Sequence, residues 1–126
     1  MRFAGRVEPA QVPDAIGDAD VFAFTAVGEG YGLAAAEALA LGVPVVAMEG
    51  GGGVVDVVPR TGPGRVVPDG DVEALASALD ELAGSPDARR LAAELGARLK
   101  RQLSPETVAA RFESIYPRVA RGAHRA

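Results

Sequence analysis

Two apolar runs, Val21-Phe22-Ala23-Phe24-Thr25 and Val43-Pro44-Val45-Val46-Ala47-Met48, flank a helical stretch from Tyr31 to Leu41. Neither run alternates apolar with polar residues. Each therefore reads as a strand covered on both faces, which is the pattern of a parallel sheet. A helix joining two such strands is a crossover, and crossovers of this kind are right-handed. Gly42 follows the helix where a left-handed backbone costs glycine least. Pro44 stands at the start of the second strand, where its missing N–H is tolerated.

The alternation continues on both sides. Arg2-Phe3-Ala4-Gly5 reads as a short strand, and Pro9 to Ala19 as a helix with Val12, Ala15, Ile16 and Ala19 three or four apart. Gly50 to Gly53 is a turn into a short helical piece, Val54 to Val58, and Arg65-Val66-Val67 is a last strand. Asp71 is placed to cap a helix from Val72 to Ala83, whose Leu75, Leu79 and Leu82 form one stripe. Ser85-Pro86 opens a helix carrying Leu91, Leu95 and Leu99. Ser104-Pro105 opens another with Val108, Phe112, Ile115, Tyr116 and Val119, in which Pro117 should produce a kink. The pattern predicts an α/β fold of three layers: a Rossmann-like parallel sheet of about four strands, flanking helices and a helical carboxy-terminal third. We expect residues 1–103 to form the sheet domain and 104–126 an amphipathic helix with a basic tail. Ligands of such sheets bind beyond the carboxyl ends of the strands, which singles out the loops Gly5–Glu8, Thr25–Gly32 and Met48–Asp56.

Composition narrows the chemistry. A chain of 126 residues holds one modest domain. The absence of Cys excludes a disulfide scaffold, thiolate zinc ligands and a Cys nucleophile. A single His, His124, speaks against a His-based metal site or a Ser-His-Asp triad, so no metal is expected. No apolar run approaches the roughly 18 residues of a membrane span, and the first residues lack the apolar stretch of a secretory signal. The expected location is the cytoplasm. Charge is uneven: residues 1–85 balance to −9 and residues 86–126 to +5. With few aromatics among its cations, the basic third reads as solvated helix faces rather than a nucleic-acid surface. Peripheral contact with an anionic membrane stays open.

The loop after the first buried strand reads Gly28-Glu29-Gly30-Tyr31-Gly32-Leu33. It fails the dinucleotide fingerprint, since G-x-G-x-x-G from Gly28 would need Gly at Leu33, and no Gly-Lys pair exists for a phosphate loop of the Walker kind. What remains is a glycine-rich entry into a helix amino terminus, whose free N–H groups and positive dipole end suit an anion. Glu29 precedes that helix and Glu37 lies inside it. Carboxylates accept hydrogen bonds from paired hydroxyls. Two of them flanking a row of N–H donors suit a diphosphate with a hydroxyl-rich ring at each end, as in a nucleotide sugar. Glu37 is also the only charged residue among Ala34, Ala35, Ala36, Ala38, Leu39, Ala40 and Leu41, a costly position without a partner if it is buried. The alternative is that Glu29 is a solvated loop residue and Glu37 merely complements the helix dipole.

The segment from Glu29-Gly30-Tyr31-Gly32-Leu33 through Glu37-Ala38-Leu39-Ala40-Leu41-Gly42-Val43-Pro44-Val45-Val46-Ala47 resembles the E-x7-E region of GT-B-fold retaining glycosyltransferases of family 4, the group 1 transferases. Phe3-Ala4-Gly5-Arg6-Val7, Asp18-Ala19-Asp20-Val21-Phe22, Gly51-Gly52, Val67 to Ala76 and the closing Ile115-Tyr116 resemble the flanking segments in order. The resemblance implies that Glu29 contacts donor-sugar hydroxyls and Glu37 the ribose, while backbone N–H groups near Gly30, Tyr31, Gly32 and Leu33 hold sugar and diphosphate. It further implies that the turn at Arg6-Val7 faces the nucleobase. No cofactor is implied, only a nucleoside-diphosphate sugar of the UDP or GDP type as substrate.

The chain departs from the family at Thr25-Ala26, where Pro-Ser is usual, at Asp56, where Glu is customary, and in the loop Pro59 to Pro63. It resembles only the later part of the donor-binding domain. The acceptor-binding half and the Arg and Lys that neutralise the diphosphate lie outside the resemblance, so negligible transfer by this polypeptide alone is expected. Either a separate amino-terminal half or self-association through an under-covered sheet edge is an expected partner. In the family's doubly wound sheet the strand carrying Phe3 is separated from its successor by two others. We expect it here to pair directly with Val21–Thr25. The alternatives to a transferase are a non-catalytic nucleotide-sugar binding module and a remnant whose donor loop merely packs.

Overall fold

The computed structural model describes residues 3–122, with side chains described through Tyr116. After an extended segment, a 3-10 turn at Pro9–Gln11 leads into α1 (Val12–Gly17), then β1 (Phe22–Phe24), α2 (Leu33–Ala40) and β2 (Val45–Met48). A second 3-10 turn, Gly52–Asp56, precedes β3 (Gly64–Val67), and three helices follow: α3 (Val72–Ala83), α4 (Pro86–Gln102) and α5 (Pro105–Gly122). His124 lies outside the described residues, and α5 continues through Pro117.

The sheet has three parallel strands in the order β1-β2-β3, with Phe22 opposite Val45 and Val45 opposite Gly64. The α/β architecture with parallel crossovers is as the alternation of runs predicts. Among the described residues the sheet has three strands, against the about four expected. Phe3, Ala4 and Gly5 form no strand, and β1 pairs with β2 alone among the described residues. A strand is stable only with a partner that satisfies its backbone groups. Phe3 stays 84% exposed and contributes nothing to the core, so pairing with Val21–Thr25 has no packing to drive it. β1 is not covered on both faces as its uninterrupted apolar run predicts: Phe24 is buried but Ala23, on the opposite face, is exposed because no helix packs over it there among the described residues.

β2 is buried along its whole length, and its alternating side chains divide the core. Val45 and Ala47 meet Phe24, Ala35, Ala38, Leu39, Val54 and Val58, with Leu95 and Leu99 of α4 closing that face. Val46 and Met48 meet Val67, Ala78, Leu82 and Ala88 on the opposite face. Full burial of such a Val or Leu stabilises by about 1.5–3 kcal/mol. Helix ends are satisfied locally: Asp71 accepts the N–H of Ala74 at 2.8 Å and Ser85 that of Ala88 at 3.1 Å. Arg89 donates to the carbonyls of Ala19 at 2.7 Å and Gly17 at 3.0 Å, closing the end of α1. α5 touches α4 and leaves Phe112, Ile115 and Tyr116 largely exposed, with Phe112 and Tyr116 stacked 6.1 Å apart.

Candidate functional site

The parallel sheet brings the loops after β1 and β2 together beyond its carboxyl edge. Gly28 donates its N–H to the carbonyl of Gly50 at 2.7 Å. Gly53 donates to the carbonyls of Glu29 at 3.3 Å and Gly30 at 3.1 Å. The loop carrying Glu29 therefore rests on the glycine run Gly50–Gly53. Residues with side chains could not approach so closely. A Cβ at Gly53 would strike the carbonyl of Gly30, and one at Gly52 the carbonyl of Glu29.

Gly32 turns this loop into α2. It sits at the N-cap with φ 75°, a left-handed conformation that only glycine adopts freely, and a Cβ there would lie 2.7 Å from the side chain of Val54. No side chain caps α2, whereas Asp71 and Ser85 cap α3 and α4. The carbonyl of Gly32 accepts the N–H groups of Ala35 and Ala36, at 3.0 Å and 3.1 Å. The N–H groups before these belong to the first turn and have no partner within the helix.

Around this amino terminus, Glu29 and Gly30 are exposed, Tyr31 is 43% exposed and Leu33 is 68% exposed. Glu37 is exposed, although Ala35, Ala36, Ala38 and Leu39 around it are buried. The penalty expected for a carboxylate on so apolar a helix therefore does not arise, because Glu37 occupies the solvent-facing side. Among the described residues neither Glu29 nor Glu37 forms an ion pair.

Glu37 borders a groove of about 230 Å³ between α1 and α2, walled by Pro9, Val12, Pro13, Ile16, Ala40 and Leu41. Glu29 is not part of this wall. The groove is apolar except for the carboxylate at its side. Arg6 is exposed and Val7 half-buried in the extended segment that leads to Pro9. No hydrogen bond ties them to Glu29–Leu33 among the described residues. The sequence reading missed the α1 wall, for which the spacing of Val12 and Ile16 was the available signal. It also missed the support beneath Glu29, whose signal was four consecutive glycines.

The parallel sheet with flanking helices agrees with the comparisons against known proteins. A family model described as "Glycosyl transferases group 1" matches residues 1–100. The chain belongs to this family. It is 35% identical over 125 residues to a phosphatidyl-myo-inositol mannosyltransferase of Mycobacterium leprae, covering 95% of this chain and 32% of that protein. It is 34% identical over 123 residues to a GDP-mannose-dependent monoacylated alpha-(1-6)-phosphatidylinositol monomannoside mannosyltransferase of Corynebacterium glutamicum, again over 32% of the relative and 91% of this chain. Among solved structures, a sucrose-phosphate synthase from Thermosynechococcus elongatus superposes with a TM-score of 0.79 at 27% identity, covering 96% of this chain and 30% of that one. The group 1 chain thus spans about a third of the length of the relatives it matches, and its parallel sheet with flanking helices corresponds to part of a Rossmann-like transferase domain.

Proposed function

We propose that this chain is the donor-binding part of a retaining glycosyltransferase, and that its ligand is a nucleoside-diphosphate sugar. The observation that carries the reading is the uncapped amino terminus of α2, preceded in sequence by the exposed Glu29 and followed along the helix by the exposed Glu37, in a member of the group 1 family. Unpaired N–H groups and the helix dipole favour the diphosphate. Glu29 accepts hydrogen bonds from sugar hydroxyls and Glu37 from the ribose, while the groove beside Glu37 offers apolar walls to the flat nucleobase. The turn at Arg6-Val7 is proposed to face the nucleobase. Both relatives are named as mannosyltransferases and one of them as GDP-mannose-dependent, which makes GDP-mannose the first donor to test.

In the transfer, the bond between the anomeric carbon and the diphosphate oxygen breaks as a bond to an acceptor hydroxyl oxygen forms. The acceptor proton passes to the departing diphosphate, and the helix N–H groups stabilise the charge that develops there. Removing one such donor typically costs about 3–4 kcal/mol. The residues described contribute donor recognition; the acceptor pocket and cationic neutralisation of the diphosphate require a further half of the protein. The polypeptide by itself is proposed to bind without appreciable transfer.

Calorimetric titration with GDP-mannose and UDP-glucose tests this reading. Binding that Glu37→Ala abolishes supports it, and no binding of either compound at millimolar concentration refutes it. Adding the amino-terminal half of a relative then separates an enzyme part, which gains turnover, from a binding module, which does not.

A further inference from the structure

We propose that Asp69 is a positioning residue for the Glu29 loop, acting through Gly50 and Gly28. The inference rests on the donor-binding reading of that loop and assigns a residue outside the site to its geometry.

Asp69 lies in the turn between β3 and α3. Its Oδ1 accepts the backbone N–H of Gly50 at 2.8 Å. The carbonyl of the same Gly50 accepts the N–H of Gly28 at 2.7 Å, and Gly28 immediately precedes Glu29. The turns following β3, β2 and β1 are thereby linked in one line across the carboxyl edge of the sheet. Residue 50 is the hinge of that line, held on its donor side by Asp69 and holding Gly28 on its acceptor side.

Two features make Asp69 more than a decoration of its own turn. A Cβ at Gly50 would overlap the Asp69 carboxylate, although Gly50 is not among the glycines with positive φ. The lack of a side chain at position 50 is thus tied to the approach of Asp69. Furthermore, Gly50 opens a run of four glycines. Glycine loses more backbone freedom on ordering than any other residue, so such a run needs fixed points to hold one conformation. Its fixed points are Asp69 and Gly28 at one end, the Met48 carbonyl, which accepts the Gly51 N–H at 3.0 Å, and the carbonyls of Glu29 and Gly30 at the other end. A hydrogen bond to a carboxylate is stronger than one between neutral groups. It is also exposed and lies outside both core clusters, so its loss loosens the loop without unfolding the chain.

The test uses the full chain, with amide hydrogen exchange read by NMR and GDP-mannose titrated by calorimetry. Asp69→Ala is expected to raise exchange at Gly50 and Gly28 at least tenfold, leave Val46 in β2 unchanged, and weaken GDP-mannose binding about tenfold. Asp69→Asn keeps a carbonyl acceptor and is expected to restore most of both. Gly50→Ala breaks the same line at its hinge and should reproduce the alanine phenotype, which covers the case of a poorly folded Asp69 variant. Unchanged exchange at Gly28 would overturn the relay whether or not a ligand binds. Raised exchange with unaltered affinity would overturn the positioning role. Raised exchange in a chain whose wild type binds no nucleotide sugar would instead overturn the donor reading and the positioning role together, while leaving the relay established.

Discussion

Gly52 lies so close beneath Glu29 that a Cβ on the glycine would strike the carbonyl of the glutamate. The backbone at Gly52 also has φ 69°, which strains any residue with a side chain. Gly52→Ala must therefore push the Glu29 loop outward or unwind the 3-10 turn that starts there. We expect GDP-mannose affinity to fall at least tenfold, with a drop in melting temperature of a few degrees. Calorimetry and a thermal melt on one preparation check both. Unaltered affinity would mean that the seat of Glu29 on this turn does not matter to the ligand.

Glu29 and Glu37 are both exposed and unpaired among the described residues, so their charges contribute little to folding. Replacing each by Gln should shift stability by less than about 0.5 kcal/mol. Hydrogen bonds to a charged acceptor are worth about 1.5–3 kcal/mol, so each substitution should weaken nucleotide-sugar binding about tenfold or more. Truncated ligands separate the two roles. Glu37→Gln should weaken GDP and GDP-mannose alike, whereas Glu29→Gln should affect only the sugar-bearing compound.

Arg65 donates from Nε to Glu81 at 3.1 Å, and a second guanidinium nitrogen reaches the other carboxylate oxygen. This hydrogen bonding with Arg65 holds the Glu81 carboxyl below its ordinary value of 4.5. A carboxyl depressed by folding stabilises the native state above its unfolded value, and that contribution disappears as pH falls through the folded value. Wild type should therefore melt slightly above Glu81→Gln at pH 7, with the gap closing as pH falls below the ordinary carboxyl value of 4.5. The effect is small because the pair is exposed and screened by salt. Thermal melts of the two proteins across that range provide the comparison.

Much of the fold was legible because its signals are local. The capping aspartate at Asp71, the serine-proline pair before α4 and the two uninterrupted apolar runs each act through neighbours in sequence. The failure at Phe3 has the opposite origin: a strand exists only if something pairs with it, and three residues of sequence say nothing about that partner. The site divides the same way. A glycine-rich entry into a helix could be read from the sequence, although the helix starts at Leu33 rather than Tyr31 because the left-handed Gly32 serves as its N-cap. The exposure of Glu37 could not, because α2 is apolar nearly all round, with Leu33 and Leu41 exposed while Ala35 and Ala38 are buried. Such a helix has no marked polar face from which to infer which side meets water.

That buried side of α2 carries the last prediction. Gly96 of α4 crosses α2 so closely that a Cβ would strike the carbonyl of Leu39, with the Cα of Ala40 at 3.0 Å. Glycine inside a helix ordinarily costs roughly 1 kcal/mol relative to alanine. An exposed Gly96 would thus gain stability on replacement by alanine. Here the obstacle is a backbone carbonyl, which cannot rotate away as a flexible side chain would, so the two helices must separate. Overpacking of this kind costs about 1–3 kcal/mol, enough to reverse the propensity gain. We expect Gly96→Ala to be destabilising and Gly96→Val more so, each lowering the urea midpoint without changing the slope of the transition. A midpoint raised by Gly96→Ala would show that α4 does not cross α2 at this distance, and α2 would then lack its support from behind.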